Sequence, residues 1–163
     1  MKSLFRPAII AACVGLSAAL PAPAFATATC SVSASALAFG AFAPIDGANH
    51  DSDATIAVDC STDSGPEQVG VTVALDGGGG GSIAARRMQA GTGELAYNIY
   101  TDPVRSVLWG DGTTGSAPGA TLDLAVTGQS VRQEFPAYGR VPAGQNTAPV
   151  GLYADSVLVT VVY

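Results

Sequence analysis

Positive charge is what this sequence has least of. Lys2 is its one lysine, and after Arg6 no cation occurs before Arg86. Beyond residue 26 five arginines face thirteen acids. Charged residues make up only 12 % of the chain, about half the usual share. An acidic, lysine-free surface repels phosphate backbones, which excludes nucleic acid as a partner.

Histidine is as scarce as lysine. His50 stands alone in the polar run Gly47-Ala48-Asn49-His50-Asp51. No nucleophile elbow or oxyanion loop accompanies it, so a Ser-His-Asp reading has no support and a solvated loop histidine is expected. Asp76 precedes five glycines but lacks the P-loop lysine and a following helix pattern, so that stretch reads as a mobile hairpin loop. Asp46, Asp51 and Asp53, and Asp111 beside Trp109, offer oxygen ligands without EF-hand spacing. Asp-Gly is also ordinary turn chemistry. The expectation is no enzyme, no catalytic residue, no metal and no cofactor.

Long apolar runs are missing after the first 26 residues. Lys2 and Arg6 form a positive n-region, residues 8–20 are apolar but short for a membrane span, and Ala24-Phe25-Ala26 is a small-x-small cleavage site. Residues 1–26 are therefore expected to be an export signal. Residues 27–163 would then be one domain with no membrane span. Cys13 leaves with the signal. Cys30 and Cys60 remain, an even pair in an exported chain, and are expected to form a disulfide with Cα atoms about 4.4–6.8 Å apart. A redox or metal pair is the alternative, but two thiols thirty residues apart with no third ligand nearby make a poor metal site.

What is present is alternation. Residues 31–34, 37–39, 55–60, 69–75, 95–100 and 121–126 read as strands of period two, with a weaker one over 130–139 interrupted by Pro136. Gly- and Pro-rich stretches at 44–53, 77–81, 110–119 and 142–149 separate them. The pattern predicts an all-β sandwich without helices. Arg86-Arg87 is the single basic cluster, a partner for acids on a neighbour or a solvated strand edge. Trp109, Tyr97, Tyr100, Tyr138 and Tyr153 are expected to pack the core rather than form a sugar platform. Residues 155–163 read as a final strand with Val157, Val159, Val161 and Tyr163 on one face. An apolar strand at the end of the sequence suggests a sheet with a place left for another chain.

An ordered series of short motifs carries a family resemblance. Cys30-Ser31-Val32 with Leu37-Ala38-Phe39-Gly40, Ile56-Ala57-Val58-Asp59-Cys60, Leu75-Asp76-Gly77-Gly78, Arg87-Met88 and Leu95-Ala96-Tyr97-Asn98-Ile99-Tyr100 come first. Trp109-Gly110-Asp111-Gly112, Tyr138-Gly139-Arg140-Val141-Pro142-Ala143-Gly144-Gln145 and Gly151-Leu152-Tyr153-Ala154-Asp155-Ser156-Val157 follow. Together they resemble the spore coat protein U domain family, which includes subunits of archaic chaperone–usher pili.

The resemblance implies an immunoglobulin-like β-sandwich that lacks its last strand and is completed by a donor strand. It implies a secreted structural subunit of a surface fibre serving adhesion or biofilm formation. The partners implied are a periplasmic chaperone, an outer-membrane usher and neighbouring subunits joined by strand addition. Transit through the periplasm to the cell surface follows from the same likeness. One departure is expected to matter. Only Thr27, Ala28 and Thr29 precede Cys30, a reach of roughly 10 Å, so the chain is expected to accept a strand and donate none. The alternative is a single-domain tip-like adhesin or lectin module, which needs an exposed aromatic or apolar patch.

Overall fold

A computed structural model of the chain describes residues 28–41 and 47–163; the expected export signal and Asp46 lie outside them. The alternation becomes eight strands: β1 (Ala28–Ala34), β2 (His50–Thr62), β3 (Glu67–Leu75), β4 (Arg86–Ala90), β5 (Gly93–Tyr100), β6 (Gly119–Leu124), β7 (Val131–Val141) and β8 (Val159–Val162). Every pairing between them is antiparallel. No helix occurs among the described residues, and none is long and apolar enough to cross a membrane.

The strands form a five-stranded sheet, ordered β1-β2-β7-β5-β4, and a three-stranded sheet, ordered β6-β3-β8. β6 lies against β2 and β7, so the sheets face each other as the expected immunoglobulin-like sandwich. The inner faces follow from period two. Val69, Val71, Val73 and Leu75 of β3 are buried, while Gln68, Gly70 and Thr72 between them are exposed. Leu95, Tyr97 and Ile99 do the same on β5 and meet Ile56, Val58, Leu124 and Phe135 in one core. Trp109 is fully buried and donates its indole N–H to the Val73 carbonyl at 3.0 Å, as a buried indole requires.

The structure departs from the sequence reading in several places. Residues 37–39 form no strand. Tyr100 and Tyr138 stand outside the core that takes in Trp109, Tyr97 and, in part, Tyr153. β2 begins at His50, inside the stretch expected to be a turn. Its polar residues form an outer face rather than a loop. Asp51 lies opposite Arg140 on β7 and accepts two bonds from its guanidinium at 2.7 and 2.8 Å. Arg105 donates to Asp53 at 2.8 Å. The Arg140 bond, aided by the Arg105 and Arg140 charges, outweighs partial burial and holds the Asp51 carboxyl below the usual range. His50 is thus a strand residue opposite Val141, not a solvated loop histidine.

β4 was absent from the sequence pattern because an arginine occupies its inner face: Arg86 is fully buried. The final strand is shorter than the expected 155–163. Tyr163 lies past the end of β8 and is 56 % exposed. Pro136 is accommodated in β7 because the ladder with β5 stops at Tyr138, leaving no bond on that side for a missing amide to break.

β1 and β2 are joined by the Cys30–Cys60 disulfide, S–S 2.04 Å. The two cysteines are directly opposed in the ladder, which brings their Cα atoms to 4.1 Å. That is closer than the expected range, in keeping with the short spacing of one class of antiparallel pair. Non-reducing mass mapping of the purified protein should recover residues 30 and 60 in one linked peptide. Reduction should lower stability by about 3–4 kcal/mol, the chain-entropy value for a thirty-residue loop.

Candidate functional site

Two of the sheet edges leave apolar inner faces uncovered. β1 pairs only with β2. Its inner residues follow the register Cys30, Val32 and Ala34 opposite Cys60, Val58 and Ile56. Val58 is buried, yet its neighbour Val32 is 48 % exposed. β8 pairs only with β3, through Leu75↔Val159 to Thr72↔Val162. Val157, Val159 and Val161 pack partly against the core and remain half-buried.

After Ala34 the chain peels away from β2. Its last backbone bond there is Ser35 N–H to the Thr55 carbonyl at 3.0 Å, and Ala38 N–H donates to the Ser52 hydroxyl at 3.1 Å. Leu37 and Phe39 then turn inward over Gly139 of β7. A Cβ at Gly139 would come within 3 Å of both side chains, so glycine creates the room for this crossing. The Phe39 ring meets Tyr97 edge-on at 6.1 Å, a favoured aromatic geometry.

The opposite side is built by residues 153–159. Ala154 exchanges two backbone bonds with Gln89 of β4, at 2.9 and 3.1 Å, and Val159 enters the ladder with β3. In between, the chain crosses from one sheet to the other. Residues 34–39 and 153–159 thus face each other across an open slot of about 350 Å³. Ile56, Leu75, Met88, Tyr97, Ile99 and Ala137 line its depth. A second groove of about 560 Å³ shares Leu37, Phe39, Met88 and Tyr153 with the first and extends the seam toward Val150 and Leu152. Val150 and Leu152 are both fully exposed.

A buried polar network underlies this wall. Arg86 donates to the Asp76 carbonyl at 2.9 and 2.6 Å, to the Trp109 carbonyl at 2.9 Å and to the Asn98 amide oxygen at 3.0 Å. Burial lowers its pKa, opposed by Tyr97, Asp76 and Asp155, though a guanidinium remains charged. The Asp76 carboxylate accepts from Gly78 N–H and Leu158 N–H, both at 2.9 Å. Asp155 accepts from Gly79 N–H and Ser156 N–H, both at 2.8 Å, and from the Tyr97 hydroxyl at 2.7 Å. Burial, then that bond, pushes the Tyr97 hydroxyl far above its ordinary range.

The structure therefore places Val157 and Val159 along the slot, leaves Val161 packed against the core beyond its lining, and leaves Tyr163 exposed beyond β8. Arg86 and Arg87 part company: Arg86 goes inside, and Arg87 pairs with Glu94 on the surface. The glycine run expected to be a mobile loop is tied to Asp155, and Gly78 at φ +71° has no space for a side chain against that carboxylate. Among the described residues no group of three or more His, Cys, Asp or Glu is placed to hold a metal ion. A pocket of about 260 Å³ on the outer side of β4, β5 and β7 includes Arg87, Tyr100 and Arg140. Both arginines are already matched with carboxylates, by Glu94 and Asp51, so it offers little net charge to an anion.

The sequence profile of the Spore Coat Protein U domain matches residues 16–160, beginning inside the expected export signal. "Protein U" of Myxococcus xanthus is 39 % identical over 88 residues, which is 51 % of this chain and 45 % of that protein. Among solved structures, one similar chain comes from the CsuC–CsuE chaperone–tip adhesion subunit pre-assembly complex of the archaic chaperone–usher Csu pili of Acinetobacter baumannii. It superposes with a TM-score of 0.54 at 20 % identity, over 84 % of this chain and 40 % of that one. The chain thus spans less than half the length of either relative, and the structural likeness is one of fold.

Proposed function

The chain belongs to the Spore Coat Protein U domain family, and from that membership we propose that it is an exported structural subunit of a chaperone–usher surface fibre, assembled by donor-strand complementation. The observation that carries this is the slot. It is apolar in its depth and flanked on one side by residues 34–39, which leave β2 after Ser35, and on the other by residues 153–159, which have no ladder pairing between Ala154 and Val159. Such a site fits an extended strand: main-chain bonds complete the sheet edges and alternate side chains fill the apolar depth. Left empty, the same edges are an aggregation hazard.

A periplasmic chaperone would fill the slot first and a neighbouring subunit's strand later, with an outer-membrane usher between the two stages. Adhesion or biofilm formation would be the task of the finished fibre. A strand burying about 300–400 Å² of apolar side chain contributes on the order of 8–10 kcal/mol before ordering costs. The test is calorimetry of the purified chain with a synthetic extended peptide of about twelve residues that alternates valine with threonine. The peptide should raise the melting temperature in a concentration-dependent way. A melting temperature that stays flat, with Val157 and Val159 amides undisturbed in the NMR spectrum, would overturn the reading.

A further inference from the structure

We propose that Asp76 and Asp155 are positioning residues for strand entry, holding the 155–158 wall of the slot in its open, strand-ready course. The proposal rests on the strand-accepting reading above. Its basis is where the backbone bonds of this wall go. Ala154 is bonded to β4 in one sheet and Val159 to β3 in the other. Residues 155–158 span the gap, where the ladders leave most of their backbone unpaired. An amide there needs a side-chain or solvent acceptor.

The two aspartates supply acceptors from opposite directions. Asp76 ends β3's run and takes Leu158 N–H on the same oxygen that takes Gly78 N–H. Its own N–H goes to the Leu158 carbonyl at 3.2 Å, so residues 82 positions apart are bonded reciprocally. Asp155 lies on the wall itself. It grips Gly79 of the glycine loop with one oxygen and the Tyr97 hydroxyl, in the slot, with the other. Arg86 fixes the base of the device through the Asp76 carbonyl. The glycines are part of it, since the loop passes too close to Asp155, Arg87 and Ala85 for side chains at Gly78, Gly80 and Gly81.

Without these bonds the half-buried Val157, between the Ala154 bonds to β4 and the Val159 ladder to β3, would be free to sink into the slot and narrow it. The consequence is kinetic. A wall that is open only part of the time reduces the strand-competent fraction, and apparent association falls with that fraction. Once a strand is seated, its own backbone pairing holds the wall, so release changes little.

Stopped-flow association of the valine–threonine peptide separates the possibilities. Asp76→Ala should slow association about tenfold, with dissociation within twofold of the parent. Asp76→Asn keeps the accepting oxygen and should restore the parent rate, and Leu158 N–H exchange in the empty chain should be fast in Asp76→Ala alone. Asp155→Ala, read in the same way, serves if Asp76→Ala does not fold. Equal association rates in parent and alanine variants overturn the positioning role while leaving strand acceptance intact. A parent chain that binds no peptide overturns strand acceptance itself, and this role with it. A lower melting temperature with unchanged association marks a structural contribution only, and also overturns the proposal.

Discussion

Arg86→Met should destabilise the domain by about 2–4 kcal/mol, a large part of the roughly 5–15 kcal/mol available to a domain. Methionine restores much of the volume but none of the bonds. The Trp109 carbonyl loses its donor in a buried place, the Asp76 carbonyl loses its two in a partly buried one, and the Asn98 amide oxygen is left with the Ile99 N–H alone. Each buried acceptor left unmatched costs about 1–3 kcal/mol. Arg86→Lys should fall between, because one ammonium cannot reach acceptors spread across three segments in the geometry of a fork. Urea unfolding with an unchanged m-value checks this. A loss below about 1 kcal/mol would mean that water replaces the guanidinium and that the network is not what holds β3, β4 and the Trp109 segment together.

Val157→Asp should leave the empty chain folded yet reduce strand binding by more than about a hundredfold. Val157 is half-buried on the slot wall, so a carboxylate there stays hydrated while the slot is open. Seating a strand removes that water and leaves a charge against an apolar depth, which costs several kcal/mol. Val162→Asp is the matched control, because Val162 points outward at 63 % exposure and should change binding little. The two variants compared by peptide titration and by thermal melting distinguish slot occupancy from general loss of apolar surface.

Much of the sandwich was readable because its strands carry clean alternation. The Val69-to-Leu75 and Leu95-to-Ile99 faces each bury one row and expose the other, and no competing helical period exists in them. Alternation failed where chemistry replaced hydrophobicity. Arg86 on an inner face hid β4. The outer acids of β2 looked like turn residues, since nothing local shows that Arg140 and Arg105 lie opposite them. One wall of the slot was visible in the apolar row that begins Val157, Val159. The other wall, Leu37 and Phe39, has the alternation of a short strand but pairs in no ladder, because its inward turn depends on space that Gly139 leaves a hundred residues later. Asp76 and Asp155 gave no signal as acceptors. Their partners are backbone amides, which every residue has, and the pairing spans the whole domain.

The arginines share a feature with a practical outcome outside the cell. Among the described residues each has a fixed partner: Arg86 in the core, Arg87 on Glu94, Arg105 on Asp53, Arg132 on Asp59 and Glu134, Arg140 on Asp51. Four of them lie within strands β4 and β7, and no lysine follows residue 2. Proteases that cut after basic residues need an extended, accessible loop carrying such a residue. Among the described residues Arg105 alone of the arginines lies outside a strand, and its guanidinium is bonded to the Gly139 and Pro103 carbonyls. Cleavage by trypsin-like enzymes at these five arginines therefore has to wait for the domain to open. A strand seated in the slot, by making opening rarer, would lengthen the life of the protein in a protease-rich setting without altering a single cleavable bond.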